Sequence, residues 1–222
     1  TQVPPPAPVG PVPSERQLAW QRLETYAFVH FGPNTFTDRE WGEGREDPKV
    51  FAPTALDTKQ WVKAFQDAGF KAVILTAKHH DGFCLWPSKQ STHTVAQSSY
   101  QGDVLGELSQ AVREAGMKLG VYLSPWDRNH PAYGTPEYND VFKAALEEVL
   151  TQYGRVDEVW FDGANGEGPN GKKQVYDWPG FIEVVRKHAP HAVIFSDAGP
   201  DIRWVGNEAG YAGETNWSPL RR

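Results

Sequence analysis

The chain has 222 residues, a formal net charge of -6 and one cysteine, Cys84. That length can bury one sizeable core. The acidic balance without a Lys/Arg block argues against a nucleic-acid partner, a lone thiol excludes an intrachain disulfide framework, and no run reaches the ~18 apolar residues of a membrane-spanning helix.

Thr1 to Pro13 (TQVPPPAPVGPVP) is proline-rich and reads as an extended linker, with residues 14–222 as a single domain. The sequence opens without Met or a leader pattern, so it reads as a processed or trimmed chain, and the proline-rich start makes export to the periplasm or beyond the cell the expectation. Ser14 to Tyr26 has helical character and leads into a short strand, Ala27 to His30. A long polar loop follows from Phe31 to Pro53, carrying Asn34, Glu40, Trp41, Glu43 and Glu46. Asp57 with Gln60 three residues on predicts a capping box, opening a helix whose inner face is Trp61, Ala64, Phe65 and Ala68 and whose stop is Gly69.

Lys71 to Ala77 is apolar on both faces, as a parallel strand covered by helices requires; it runs into Lys78-His79-His80-Asp81-Gly82. The pattern then repeats. A helix over Val104 to Ala115 (Leu105, Leu108 and Val112 inward) precedes a strand, Leu119 to Leu123, that ends in Ser124-Pro125-Trp126-Asp127. Thr135 with Pro136 predicts the start of a long helix burying Val141, Phe142, Ala145, Leu146, Val149 and Leu150. Val156 to Gly163 (VDEVWFDG) is the fourth strand, with Trp160 and Asp162 on one face. A helix over Pro179 to His188, a strand over Ala192 to Phe195 and a short sixth strand near Arg203 to Gly206 complete the series.

Strand and helix alternate, and no glycine-rich phosphate turn follows the first strand, which favours a (β/α) TIM-type barrel over a doubly wound open sheet. Six strands leave no room for a seventh and eighth, so the expectation is a barrel that is incomplete or truncated after about the sixth strand. The strands end in His30, His79-His80, Trp126-Asp127, Trp160-Asp162 and Asp197. In a barrel these share one rim, where active sites are built. A strand-end carboxylate reads as catalytic or as a turn cap. Carboxylates, imidazoles and tryptophans without a cofactor fingerprint suit a sugar site, and 13% aromatic residues with nine Trp fit stacking on sugar rings as well as core filling. A metal hydrolase is the competing reading, although adjacent His79 and His80 alternate faces where a strand-borne pair of ligands needs i and i+2 spacing. Asp127 and Asp197 read as structural acceptors, Lys78 as the partner of a rim carboxylate, Cys84 as packing, and Glu43 and Glu46 as solvated.

Three longer stretches carry a family resemblance. Ala27-Phe28-Val29-His30-Phe31-Gly32 with Asn34 to Gly42, Leu75 to Phe83, and Val159-Trp160-Phe161-Asp162-Gly163 resemble, in order and spacing, signatures of glycoside hydrolase family 29, the α-L-fucosidases. Trp204-Val205-Gly206-Asn207-Glu208 resembles the branch acting on α-1,3/1,4-linked fucose. The resemblance implies Asp162 as nucleophile, Glu208 as general acid/base with Glu214 as the less favoured acid, and His30, Glu40, Trp41, His79, His80 and Trp160 as substrate-binding residues. It implies a retaining exo-α-L-fucosidase acting on fucosylated oligosaccharides, with no cofactor and no metal. An inactive fucose-binding barrel is the alternative.

Overall fold

The computed structural model describes residues 3–197 and 199–204. Residues 3–13 are exposed and without regular structure. Helix α1 (Glu15–Gln21) starts at a full capping box between Ser14 and Gln17. Then follow β1 (Ala27–Val29), a five-residue helix α2 (Pro33–Thr37), α3 (Thr58–Asp67), β2 (Ala72–Lys78), α4 (Val104–Glu114), β3 (Lys118–Leu123), α5 (Glu137–Gln152), β4 (Glu158–Phe161), α6 (Trp178–His188), β5 (Val193–Ser196) and β6 (Ile202–Arg203).

The six strands pair in parallel in chain order, β1 to β6. A doubly wound sheet reverses its strand order at a switch point; here the order never reverses, so the winding is that of a (β/α) barrel. Every residue of β2 is buried, as the unbroken apolar run of a doubly covered strand requires.

Local chemistry explains where the helices stop and start. Asp57, Asp103 and Asp177 cap α3, α4 and α6, each carboxylate accepting the backbone N–H three residues on. Gln60 does not return the bond, so the expected box at Asp57 is only half made. At the other end, Gly69 and Gly116 adopt φ of +86° and +68°, a conformation that side chains resist. Around them Phe70 N donates to Phe65 O and Met117 N to Val112 O, the 6→1 bond of a Schellman motif. The Phe65 and Phe70 rings, 6.0 Å apart, supply its apolar contact. Helix α5 departs from expectation: the N-cap is Pro136, whose ring has no polar atom to offer, and the Thr135 hydroxyl donates backward to Ala132 O.

The two faces of the sheet differ. Val73, Leu75, Ala77, Val121, Leu123, Val159, Phe161 and Ile194 pack against Leu105, Leu108, Val112, Phe142, Leu146, Val149, Phe181 and Val185 of the covering helices. Helix α3 is rolled relative to its expected face. Val62 and Thr58 are buried, Trp61 and Phe65 are half-buried, and Ala64 and Ala68 are exposed, because the large rings pack sideways, Trp61 on Phe31 and Phe65 on Phe70. The opposite face of the sheet carries a row of rings, with centroids 4.8 Å apart for Phe28–Trp160, 5.9 Å for Tyr122–Trp160 and 4.1 Å for Trp160–Phe195. Helix α1 meets this face at its N-terminal end, where Trp20 Nε1 donates to Glu158 Oε2 at 2.7 Å. The opposite end of the same face carries the candidate site.

Candidate active site

Asp162 follows the last residue of β4 and keeps the strand's alternation, so it lies on the same face as Trp160 and Glu158. Tyr122 Oη donates to its Oδ2 at 2.6 Å, and Ala164 N donates to its Oδ1 at 2.7 Å. Its side chain is 28% exposed, so the carboxylate is held by two donors and still reachable. Tyr122 reaches it because β3 and β4 pair Tyr122 with Trp160, which sets the phenol beside the end of the neighbouring strand. Burial and the Asp162 charge push the Tyr122 pKa well up, so the phenol keeps its proton and serves as a donor.

Three imidazoles stand beside this carboxylate. The rings of His30 and His79 are 4.6 Å apart, those of His79 and His80 4.1 Å, and His79 stacks on Tyr122 at 5.7 Å. His80 Nε2 lies 3.9 Å from Asp162 Oδ2, too far for a hydrogen bond. Burial is the main cause lowering all three pKa values. His79 falls to about 2, with its imidazole neighbours and Lys78 adding to the effect, and His80 falls to about 4 against the opposing pull of Asp162. His30 is lowered by burial too, with Asp81 and Glu40 opposing. At neutral pH all three are uncharged. A neutral imidazole both donates and accepts, which matches a hydroxyl group.

Behind the histidines lies a buried ion pair. Lys78 Nζ sits 3.1 Å from Asp127 Oδ2, with both side chains at most 5% exposed, and donates to Ser124 O at 2.8 Å. Asp127 also accepts from the N–H groups of Asn129 and His130 and from Tyr138 Oη. Lys78 holds its pKa low despite burial of the carboxyl. Both residues are therefore structural, as the sequence implies. Buried Cys84, its thiol pKa raised by desolvation, is packing as expected.

The loop after β1 forms the outer wall. Trp41, 39% exposed, has its ring 6.2 Å from His80 and 5.3 Å from Trp126. The Arg128 guanidinium lies over both tryptophans, 4.8 and 5.7 Å from the ring centres, and donates to Gly42 O. Glu40 lines a hollow with His30, Asn34 and Arg39. Glu46 is not a solvated bystander: it accepts from the N–H groups of Glu43 and Gly44 and so ties the loop into a turn. Glu43 is exposed and paired with Arg39. Asp197, expected as a structural acceptor, lies against Gly163, where a Cβ would meet its Oδ2 at 1.9 Å. Burial and Asp162 raise its pKa.

Thus His30, Glu40, Trp41, His79, His80, Trp160 and Asp162 all fall at one end of one face, with Trp160 deeper, against Phe28 and Phe195. Glu208 and Glu214 lie outside the described residues. Among the described residues no group of three or more His, Cys, Asp or Glu is placed to hold a metal ion, and no helix is long and apolar enough to cross a membrane. Sequence reading missed Tyr122, Ser124 and Arg128. Tyr122 alone left a usable signal, being one of the alternating residues of a strand that feeds the rim.

The alpha-L-fucosidase family model matches residues 15–212. The chain belongs to the alpha-L-fucosidase family. It is 51% identical to the alpha-L-fucosidase 1 of Arabidopsis thaliana over 99% of its own length and 44% of that protein's. Among solved structures, a glycoside hydrolase 29 family member from an unknown rumen bacterium is 50% identical, with a TM-score of 0.89 over 96% of this chain and 41% of that one. A Ruminococcus gnavus GH29 fucosidase in complex with fucose is 37% identical, with a TM-score of 0.86 over 98% of this chain and 50% of that one. The chain therefore spans less than half the length of the curated family members it matches almost end to end.

Proposed function

We propose that this chain carries the fucose-binding and nucleophilic part of a retaining exo-α-L-fucosidase, with Asp162 as nucleophile. The observation that carries the reading is Asp162 itself, reachable from solvent, accepting from Tyr122 and Ala164, and flanked by three uncharged imidazoles. Family membership and the fucose-bound relative from R. gnavus support it.

Glycosidic cleavage passes through an oxocarbenium-like transition state and needs two carboxyl groups. A carboxylate oxygen of Asp162 attacks C1 as the bond from C1 to the leaving oxygen breaks. The general acid, assigned to Glu208, gives its proton to that oxygen. In the second half-reaction Glu208 takes a proton from water, the water oxygen bonds to C1, and the C1–Asp162 ester bond breaks to release α-L-fucose. Positive charge developing at C1 is met by Asp162, and the two donors keep the side chain aimed rather than free to rotate. His30, His79 and His80 bind ring hydroxyls together with Glu40, while Trp41 and Trp160 supply apolar walls. The Trp204 to Glu208 segment supports α-1,3/1,4-linked fucose as the preferred linkage.

Hydrolysis of an aryl α-L-fucoside tests the reading. Asp162→Ala is expected to abolish turnover while fucose still binds. Turnover surviving in that variant overturns the assignment, and fucose binding without turnover in the wild-type chain makes it a binding module instead.

A further inference from the structure

We propose that Ser124 is a positioning residue that fixes His80 as its Nδ1–H tautomer and so presents Nε2 to the pocket as a hydrogen-bond acceptor for one sugar hydroxyl. This deepens the fucosidase reading and rests on it for the identity of the ligand.

The number of protons at Ser124 decides the tautomer. Ser124 is fully buried, so no solvent competes for its hydroxyl, which has a single proton. Its Oγ donates to Trp126 O at 3.0 Å and lies 2.7 Å from His80 Nδ1. A carbonyl oxygen only accepts, so the serine proton is committed to Trp126. The short contact to Nδ1 is then a hydrogen bond only if Nδ1 carries the proton. The other donor near Trp126 O is Lys78 Nζ at 3.4 Å, whose shorter contacts are to Ser124 O and Asp127. It is a poor substitute for the serine.

The surroundings hold Ser124 in place. Its N–H donates to Lys78 O at 2.9 Å, its carbonyl receives Lys78 Nζ, and Arg128 N donates to His80 O at 2.9 Å. These bonds clamp the Ser124 to Arg128 turn onto the end of β2, with the ring of His80 tilted against Trp126, centroids 4.7 Å apart. With Nδ1 spent inward, Nε2 is the pocket-facing nitrogen, 3.9 Å from Asp162 Oδ2 and bonded to neither of its oxygens. An unprotonated, uncharged nitrogen here accepts from a hydroxyl and donates to nothing.

Two measurements on the same chain test this. In ¹⁵N-labelled protein, long-range proton–nitrogen correlation of His80, assigned through the signals lost in His80→Gln, is expected to show a protonated Nδ1 and an unprotonated Nε2. In Ser124→Ala the pattern is expected to shift toward the Nε2–H form, with fucose affinity lowered about fivefold. A wild-type His80 in the Nε2–H form overturns the proposal, as does a folded Ser124→Ala whose ring pattern is unchanged. A purely structural serine would lower thermal stability without altering that pattern. Should Ser124→Ala not fold, the wild-type spectrum decides alone.

Binding of analogues supplies the chemical readout. At the hydroxyl that His80 accepts from, replacement by hydrogen and by fluorine is expected to weaken binding alike, because fluorine donates nothing. A fluoro analogue that keeps the affinity lost by its deoxy counterpart at every such position contradicts an acceptor. If wild-type protein binds no fucose in titration, the functional reading fails, and the nitrogen pattern still reports on Ser124.

Discussion

Glu158 and Asp162 stand four residues apart, on one face of one strand and its extension, yet their surroundings are opposite. Glu158, at the N-terminal end, is 4% exposed, has the Trp20 indole as the donor to Oε2, and leaves Oε1 buried without a partner among the described residues. Burial pushes its pKa up to about 7. Asp162, at the C-terminal end, is open to solvent and accepts from two donors. The difference teaches that strand geometry aims a carboxyl group, whereas burial and hydrogen-bond donors set its surroundings. The same β strand thus ends in a carboxyl group that solvent reaches and begins with a buried one that holds its proton.

The comparison breaks most sharply under substitution. Asp162→Asn is expected to lower aryl α-L-fucoside hydrolysis by at least ~10³-fold, while Glu158→Gln keeps activity within about threefold. Equal losses in the two variants would show that position along the strand, and not its environment, matters. Tyr122→Phe removes the phenol's hydrogen bond to Asp162 Oδ2, so kcat should fall about 10- to 100-fold. An unchanged kcat would mean that the phenol holds the loop and does not aim Asp162.

pH sharpens it further, because the two ends respond with opposite sign. The folded state keeps a proton on Glu158 between its ordinary value of 4.5 and about 7, where the unfolded chain has released it. Stability from that group is complete below 4.5 and is lost as pH rises through 7, on the order of 3 kcal/mol. Glu158→Gln should therefore gain melting temperature over wild type at pH 8 and little at pH 4.5. The site histidines work the other way. His80 resists protonation down to about 4 and His79 further, so the unfolded chain takes up protons first as pH falls below 6.5. Their contribution is complete above 6.5 and declines on acidification. Thermal melts across pH 4 to 8 for Glu158→Gln and His79→Gln check both slopes, and slopes of the same sign would contradict the burial argument. The smallest expected effect is that of a chelator: activity should be unchanged by it, and loss restored by added metal would favour metal hydrolysis.

Much of this was readable from residue order alone. β2 announces itself as an unbroken apolar run, and Asp57 before α3 marks a helix start through its fixed reach to a backbone N–H. His30, His79, His80 and Asp162 could be placed together because parallel strands in a barrel end at one rim. Tyr122 and Ser124 were harder. Their partners are 40 and 44 residues away, and which side chains meet across strands depends on a register that periodicity does not fix. The five-residue helix α2 hid in the polar loop because it is shorter than any window in which helical spacing shows. Thr135 looked like a cap by type, and only the competing carbonyl of Ala132 revealed otherwise.

The most direct test of the central claim is covalent trapping with a 2-deoxy-2-fluoro-α-L-fucosyl donor bearing a good leaving group, followed by peptide mass mapping. Slow turnover of the ester should leave one fluorofucosyl group on the peptide containing Asp162, absent in Asp162→Asn. A label on Asp197 or another carboxyl, or turnover with no labelled peptide at all, would contradict the account.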